Sequence, residues 1–263
     1  MKNMKTRLFL TLAAAIMVAA VSSCGNSRSS HSTQAESQAT DISSLGQEGG
    51  VPVYMTRDLS AESIVRIYHA LGRPAVGRVA LKISTGESEE TGYIRPAMMK
   101  PIIDDIASVE GNSVTIVECN TAYAGTRNTT ESHWKEIQKR GFLDVAPVDI
   151  MDADGDMRIP VVDDSRIKYD IVGSHLQNYD FMVNLAHFKG HQMAGMGGVL
   201  KNASIGVASA SGKAYIHTAG YTADTRTMWS HTDDQDGFVE AMASAAQAVH
   251  NYFDGGKNIV YIS

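Results

Sequence analysis

Short apolar runs of strand length alternate along this chain with stretches of helical periodicity, and that alternation constrains the fold more than any other feature. The runs fall at 79–83, 114–118, 145–150, 181–185 and 258–262, with helical patterns at 97–109, 131–140 and 238–253. Parallel strands need crossovers of about a dozen residues or more, usually a helix. The pattern therefore predicts a layered α/β fold, a mostly parallel sheet flanked by helices. The helix ends are marked as well. Pro96 suits a first-turn position, Gly111 lies behind the first helix, Thr129 or Thr130 caps the second, and Gly141 stops it. In the third, Phe238, Met242, Ala245, Val249 and Tyr252 share one stripe, the mark of a core-facing helix.

The N-terminus reads differently. Lys2, Lys5 and Arg7 precede an apolar run of 13 residues, 8–20, and then Val21-Ser22-Ser23-Cys24. That order is a secretory signal, and the run is shorter than the ~20 residues a spanning helix needs. The tetrapeptide resembles the bacterial lipobox, whose cysteine is acylated and becomes the mature N-terminus. Residues 1–23 are thus expected to be a lipoprotein signal peptide and Cys24 the lipidation site. Each buried methylene adds about 0.8 kcal/mol, so several acyl chains make a lasting anchor. The protein is then tethered to the cell envelope, on the periplasmic or surface side, without spanning the membrane. Residues 24–50 are rich in Ser, Gln, Gly and Thr and too poor in large apolar groups to repay ordering. They are expected to form a flexible tether with a reach of roughly 25–30 Å.

Charge and cysteine supply then exclude whole classes. Without the three signal-peptide cations, 20 Lys and Arg face 29 Asp and Glu, a formal net charge of −9. Nucleic-acid binding needs clustered basic charge and is not expected. With Cys24 lipidated, Cys119 is the remaining thiol, so this chain alone forms neither an internal disulfide nor a four-cysteine iron–sulfur cluster. Residues 51–263 make up the α/β domain. They stop directly after a strand-like run, so a further C-terminal part is expected. The segment Asp152-Ala-Asp154-Gly155-Asp156 invites a calcium reading, but glycine stands fourth rather than sixth and Asp163 occupies the place of the bidentate Glu. An Asp-Gly turn between two extended pieces, 148–151 and 157–162, is the simpler account.

Chemistry concentrates at 184–202, directly after a strand-like run, where open parallel sheets bind ligands. In extended chain, side chains alternate, so His187, Lys189 and His191 face one way. His187 and His191 can share a divalent metal such as Ni, Zn or Fe, with His217 or His231 as a third ligand. Without metal, the same imidazoles can serve as general acid and base. Lys189 and Lys201 can hold a carboxylate or phosphate, or act as nucleophiles if desolvated. Gly197 and Gly198 permit close backbone approach, and a helix opening near Val199 would direct its N–H groups, and Asn202, toward an anion. A tight turn with histidines bonded to backbone is the plainer alternative. At a second strand end, Glu118 leads into a polar loop in which Arg127 either clamps an acid or pairs at the surface with a helix acid.

The strings HFKGHQMAGMGGVLKNASIG and ECNTAYAGTRNTTESHWKEIQKRGF closely resemble the bacterial and archaeal domain-of-unknown-function family 362, with the resemblance running from about Val53 to Ser263. It implies an iron–sulfur centre, which in many members draws on a cysteine-bearing C-terminal part that this chain does not show. A shorter pattern, His-x-x-Ala-Gly-x-x-Gly-x-x-Lys, is similar to a stretch of the nickel-pincer lactate racemases. There it implies a proton-moving histidine at His191 and a cofactor-holding lysine at Lys201. The expectation is thus a metal- or cofactor-assisted site for a small anionic ligand on His187, Lys189, His191 and Lys201, with Glu118, Arg127, Gly197, Gly198 and Asn202 as binding residues. Whether it is an enzyme is left open; the alternatives are a non-catalytic binding lipoprotein and an electron-transfer protein whose cysteines lie elsewhere.

Overall fold

The computed structural model of the chain describes residues 51–86 and 92–263. The signal peptide, Cys24 and the tether fall on 1–50, outside the described residues. Fifteen helices and strands matter here: α1 (Ala61–Ala70), β1 (Arg78–Lys82), α2 (Pro96–Ala107), β2 (Ser113–Glu118), α3 (Thr130–Lys139), β3 (Val148–Ile150), β4 (Asp156–Ile159), β5 (Asp170–Gly173), β6 (Phe181–Leu185), β7 (Lys189–His191), β8 (Gly195–Gly197), α4 (Val199–Ala203), α5 (Ala210–His217), α6 (Gln235–Tyr252) and β9 (Ile259–Ile262). Among the described residues no helix is long and apolar enough to cross a membrane.

Five strands form one sheet in the order β3-β2-β1-β6-β9, and every pairing in it is parallel. The chain winds outward from β1 through β2 to β3, then returns to lay β6 on the other side of β1. Winding thus reverses between β1 and β6, and their carboxyl ends open a crevice of the kind where such sheets bind ligands. Two-residue alternation sorts the strands between two apolar layers. Val79, Leu81, Ile116, Val183 and Leu185 pack with Ile102, Ile106 and Ile137 of α2 and α3. Ala80, Val117, Met182 and Ile259 face Ala248 and Val249 of α6 together with Val172 of β5. A third cluster joins Ile216 of α5 to Phe238, Ala241 and Ala245 of α6.

The predicted helices form as their caps dictate. Thr129 Oγ1 accepts the Ser132 N–H at 3.2 Å and Gly141 leaves α3 at φ 75°. The strand expected at 145–150 shrinks to its last three residues, because pairing starts at the carbonyl of Pro147 and the chain before it turns in a 3-10 segment that buries Phe142. The Asp-Gly turn lies between β3 and β4, but these two do not pair with each other: β3 joins β2, and β4 forms a separate antiparallel ladder with β5. Its aspartates diverge. Asp152 accepts the backbone N–H groups of Asn120 and Ala210, while Asp154 pairs with His175.

Candidate functional site

Three strand ends meet at the crevice: β1 delivers Lys82, β2 delivers Glu118 and β6 delivers Asn184. A lysine at the buried end of a strand has to find counter-charge, since an unpaired buried ammonium is strongly disfavoured. Lys82 Nζ donates to Glu118 Oε2 at 2.9 Å, to Asn202 Oδ1 at 3.2 Å and to the Ile83 carbonyl. Glu118 Oε1 accepts from the Thr85 N–H at 2.6 Å, from Thr85 Oγ1 at 3.1 Å and from an Arg127 guanidinium N–H at 3.2 Å. Burial pushes the Glu118 carboxyl up, but Lys82 and then Arg127 outweigh it and hold the group at about 2. Arg127 is therefore no surface arginine; it is buried against Glu118.

Asn202, on α4, ties the two central strands together. Its Nδ2 donates to Asn184 Oδ1 at 2.7 Å and to the Lys82 carbonyl at 3.0 Å, and Asn184 Nδ2 donates to the Val199 carbonyl at 2.9 Å. The helix does begin at Val199, as expected, but it is a short one whose start is fixed by β6. Before it, β7 and β8 make an antiparallel hairpin whose turn, 192–194, is followed by Gly195 at φ 70°. A Cβ on Gly197 would stand 3.5 Å from Lys189 Cγ and 3.7 Å from Lys201 Cδ, so the two lysine stems converge on this glycine. At Gly198 the Phe188 ring lies 3.4 Å from such a Cβ. These glycines thus make room for neighbouring side chains.

The strand ends, the hairpin and α5 line an open cavity of about 130 Å³. Its wall contains His187, Lys189, His191, Lys201, Glu118, Arg127, Gly197, Gly198, Asn202 and His217, whereas His231, the alternative third ligand, lies off it, stacked on Tyr221. Their common facing follows from the alternation along 187–191. Lys82 and Lys213 line it too and were missed. A lysine inside the apolar run 79–83 is an anomaly that could have exposed the first; nothing in the sequence around Lys213 signals burial.

Hydrogen-bond partners fix the imidazole protons. His191 Nδ1 accepts the backbone N–H groups of Met193 at 3.2 Å and Ala194 at 3.1 Å, so its proton sits on Nε2. Burial, then the charges of Lys201 and Lys189, lower its pKa and keep it neutral. His217 Nδ1 lies 2.6 Å from the Lys213 carbonyl, which can only accept, so His217 carries its proton on Nδ1 and keeps a lone pair on Nε2. Burial lowers its pKa to about 4.

The expected metal set does not come together. Among the described residues no group of three or more His, Cys, Asp or Glu side chains is placed to hold a metal ion. The physical reason is visible at His191: its Nδ1 lone pair is committed to two backbone N–H groups and its Nε2 carries the proton, so neither nitrogen is open to a metal. An iron–sulfur centre fits no better. Cys119 is buried, donates its thiol to the Val207 carbonyl at 3.2 Å, and has its pKa pushed up by burial.

Fold and site together define a class: a doubly wound parallel α/β protein with a small cationic cavity at the point where its winding reverses. Residues 79–261 match the family described as Domain of unknown function (DUF362), and the chain belongs to it. No curated protein matches the chain.

Proposed function

We propose that this chain is an envelope-anchored lipoprotein whose domain takes up a small anion, a carboxylate or phosphate, in the cavity between β1 and β6. The observation that carries the reading is the charge of the wall. Among the described residues it holds Lys82, Lys189, Lys201 and Arg127 against one carboxylate, Glu118. Low-dielectric walls strengthen such a field, and an anion is what it attracts. At about 130 Å³ the space falls below the roughly 300–1,000 Å³ of pockets for drug-sized ligands and suits a small acid. Lys189 and Lys201, converging on Gly197, supply charge from partly solvated side chains, and the His191 Nε2–H supplies a neutral donor. The anchor rests on the N-terminal sequence: a cationic start, a 13-residue apolar run and Cys24.

Isothermal titration calorimetry of the full chain with phosphate and with lactate tests the cavity. Millimolar or tighter binding is expected, weakened by salt. Lys189→Ala or Lys201→Ala should weaken it about tenfold or more, since a hydrogen bond to a charged group contributes roughly 1.5–3 kcal/mol. No heat from either anion, or binding indifferent to both substitutions, would sink the reading. Binding with no turnover of any anion in a substrate screen would make the protein a carrier or sensor. Metabolic labelling with palmitate tests the anchor: label and membrane association should both vanish in Cys24→Ala.

A further inference from the structure

Lys213 is a buried lysine on the cavity wall that the anion reading leaves unused. It lies on α5, capped by Ser209, whose Oγ accepts the Gly212 N–H at 3.1 Å. Its surroundings differ from those of the other lysines at the cavity. Lys82 spends its ammonium on Glu118, Asn202 and a carbonyl, while Lys189 and Lys201 are partly solvated. Lys213 is 5 % exposed, donates to the Ala208 carbonyl at 2.5 Å, and has no carboxylate within ion-pair distance among the described residues. The surrounding acids raise its pKa but none pairs with it, and Glu118 is committed to Lys82, Arg127 and Thr85. Asp152 spends both oxygens on backbone N–H groups. Asp170 is fully buried with neither oxygen hydrogen-bonded among the described residues, and burial pushes its carboxyl up to about 7. Burial without a contact anion favours the neutral amine, and the Lys213 pKa is accordingly lowered, burial being the leading cause. One turn on, His217 lines the same cavity from the same helix face and keeps a lone pair on Nε2.

We propose that Lys213 captures a small anion bearing a carbonyl group, an α-keto or aldehyde acid, as an imine in this cavity. The inference rests on the anion reading above and names the substrate class of that site. The neutral Nζ attacks the carbonyl carbon, one of its two protons passes to the carbonyl oxygen, and a carbinolamine forms. His217 Nε2 then accepts the remaining N–H proton and returns it to the departing hydroxyl, so that amine and carbonyl become imine and water. No oxidant or further reactant is needed. Desolvation is what makes an amine of this kind nucleophilic near neutral pH.

The test is reductive trapping on the full chain. The protein is mixed with pyruvate or glyoxylate, both small enough for the cavity, reduced with cyanoborohydride and mapped by peptide mass spectrometry. A single adduct on the peptide carrying Lys213, suppressed by excess phosphate, is the expected result. Lys213→Arg should abolish it, and His217→Gln should slow trapping roughly a hundredfold or more, the usual contribution of a positioned base. Because the mapping is done on the unaltered chain, it decides the matter even if a variant does not fold. Adducts confined to other lysines, or none at all in a protein that binds phosphate by calorimetry, overturn the proposal while leaving the anion reading intact. If phosphate does not bind either, the anion reading has failed and the imine falls with it.

Discussion

Glu118 is 3 % exposed and still ionised, because two cations and the Thr85 N–H and hydroxyl surround it. Removing one member of such a buried set leaves uncompensated charge, which typically costs about 3–5 kcal/mol. Glu118→Gln keeps the shape and strands the Lys82 ammonium, so its urea midpoint at pH 7 should fall by that amount of stability. The pH dependence has a definite sign. The folded carboxyl titrates at about 2, below its ordinary 4.5, so its contribution is complete above pH 4.5 and is lost as pH falls toward 2. The gap between wild type and Glu118→Gln should accordingly narrow in acid; a gap that is constant from pH 7 to pH 3 would mean that the carboxylate is not what stabilises this corner. At this scale the sequence was partly legible. Alternation placed His187, Lys189 and His191 on one wall, and a strand end pointed to Glu118. Which imidazole nitrogen carries the proton was out of reach, since the deciding partners are backbone groups of Met193, Ala194 and Lys213.

Elements were legible where caps and periodicity agreed, as in α2, α3 and α6, and where apolar runs matched strand length, as in β6. Helix α1 carries an ordinary amphipathic pattern behind the cap Ser60, whereas α5 was not legible: it reads Ala-Ser-Gly-Lys-Ala-Tyr-Ile-His and owes its place to tertiary contact. Gly212 measures that contact. In an isolated helix, Gly→Ala is worth up to about 1 kcal/mol of stability. Here a Cβ would stand 1.9 Å from the Ile171 carbonyl oxygen of β5, backbone that cannot swing aside. Gly212→Ala should therefore destabilise, by about 1–3 kcal/mol as overpacked cores do, and it should weaken anion binding by shifting α5. Chemical denaturation of the variant decides between propensity and packing, since the two predict opposite signs.

At the scale of the whole molecule, the strand order β3-β2-β1-β6-β9 sets where a ligand can act on stability. The sequence could suggest a parallel sheet but not its order, because β6 returns to β1 only through contacts between residues some hundred positions apart, such as Val79 with Phe181. That reversal puts the cavity between the two central strands, walled by β1, β2, the hairpin and α5 at once. A ligand there bridges elements from both halves of the winding, so its binding free energy adds to the stability of the folded chain as a unit. At a concentration a hundred times Kd the gain is about 2.7 kcal/mol, and for a domain of this size each kcal/mol raises Tm by roughly 2–4 °C. Saturating phosphate should thus raise Tm by about 5–11 °C, and the rise should shrink in Lys189→Ala and Lys201→Ala in proportion to their lost affinity. A surface site would give a different pattern: chloride at equal ionic strength would do as well as phosphate, and neither substitution would matter. Differential scanning calorimetry with the two anions side by side separates a ligand held at the switch of the sheet from general screening of charge.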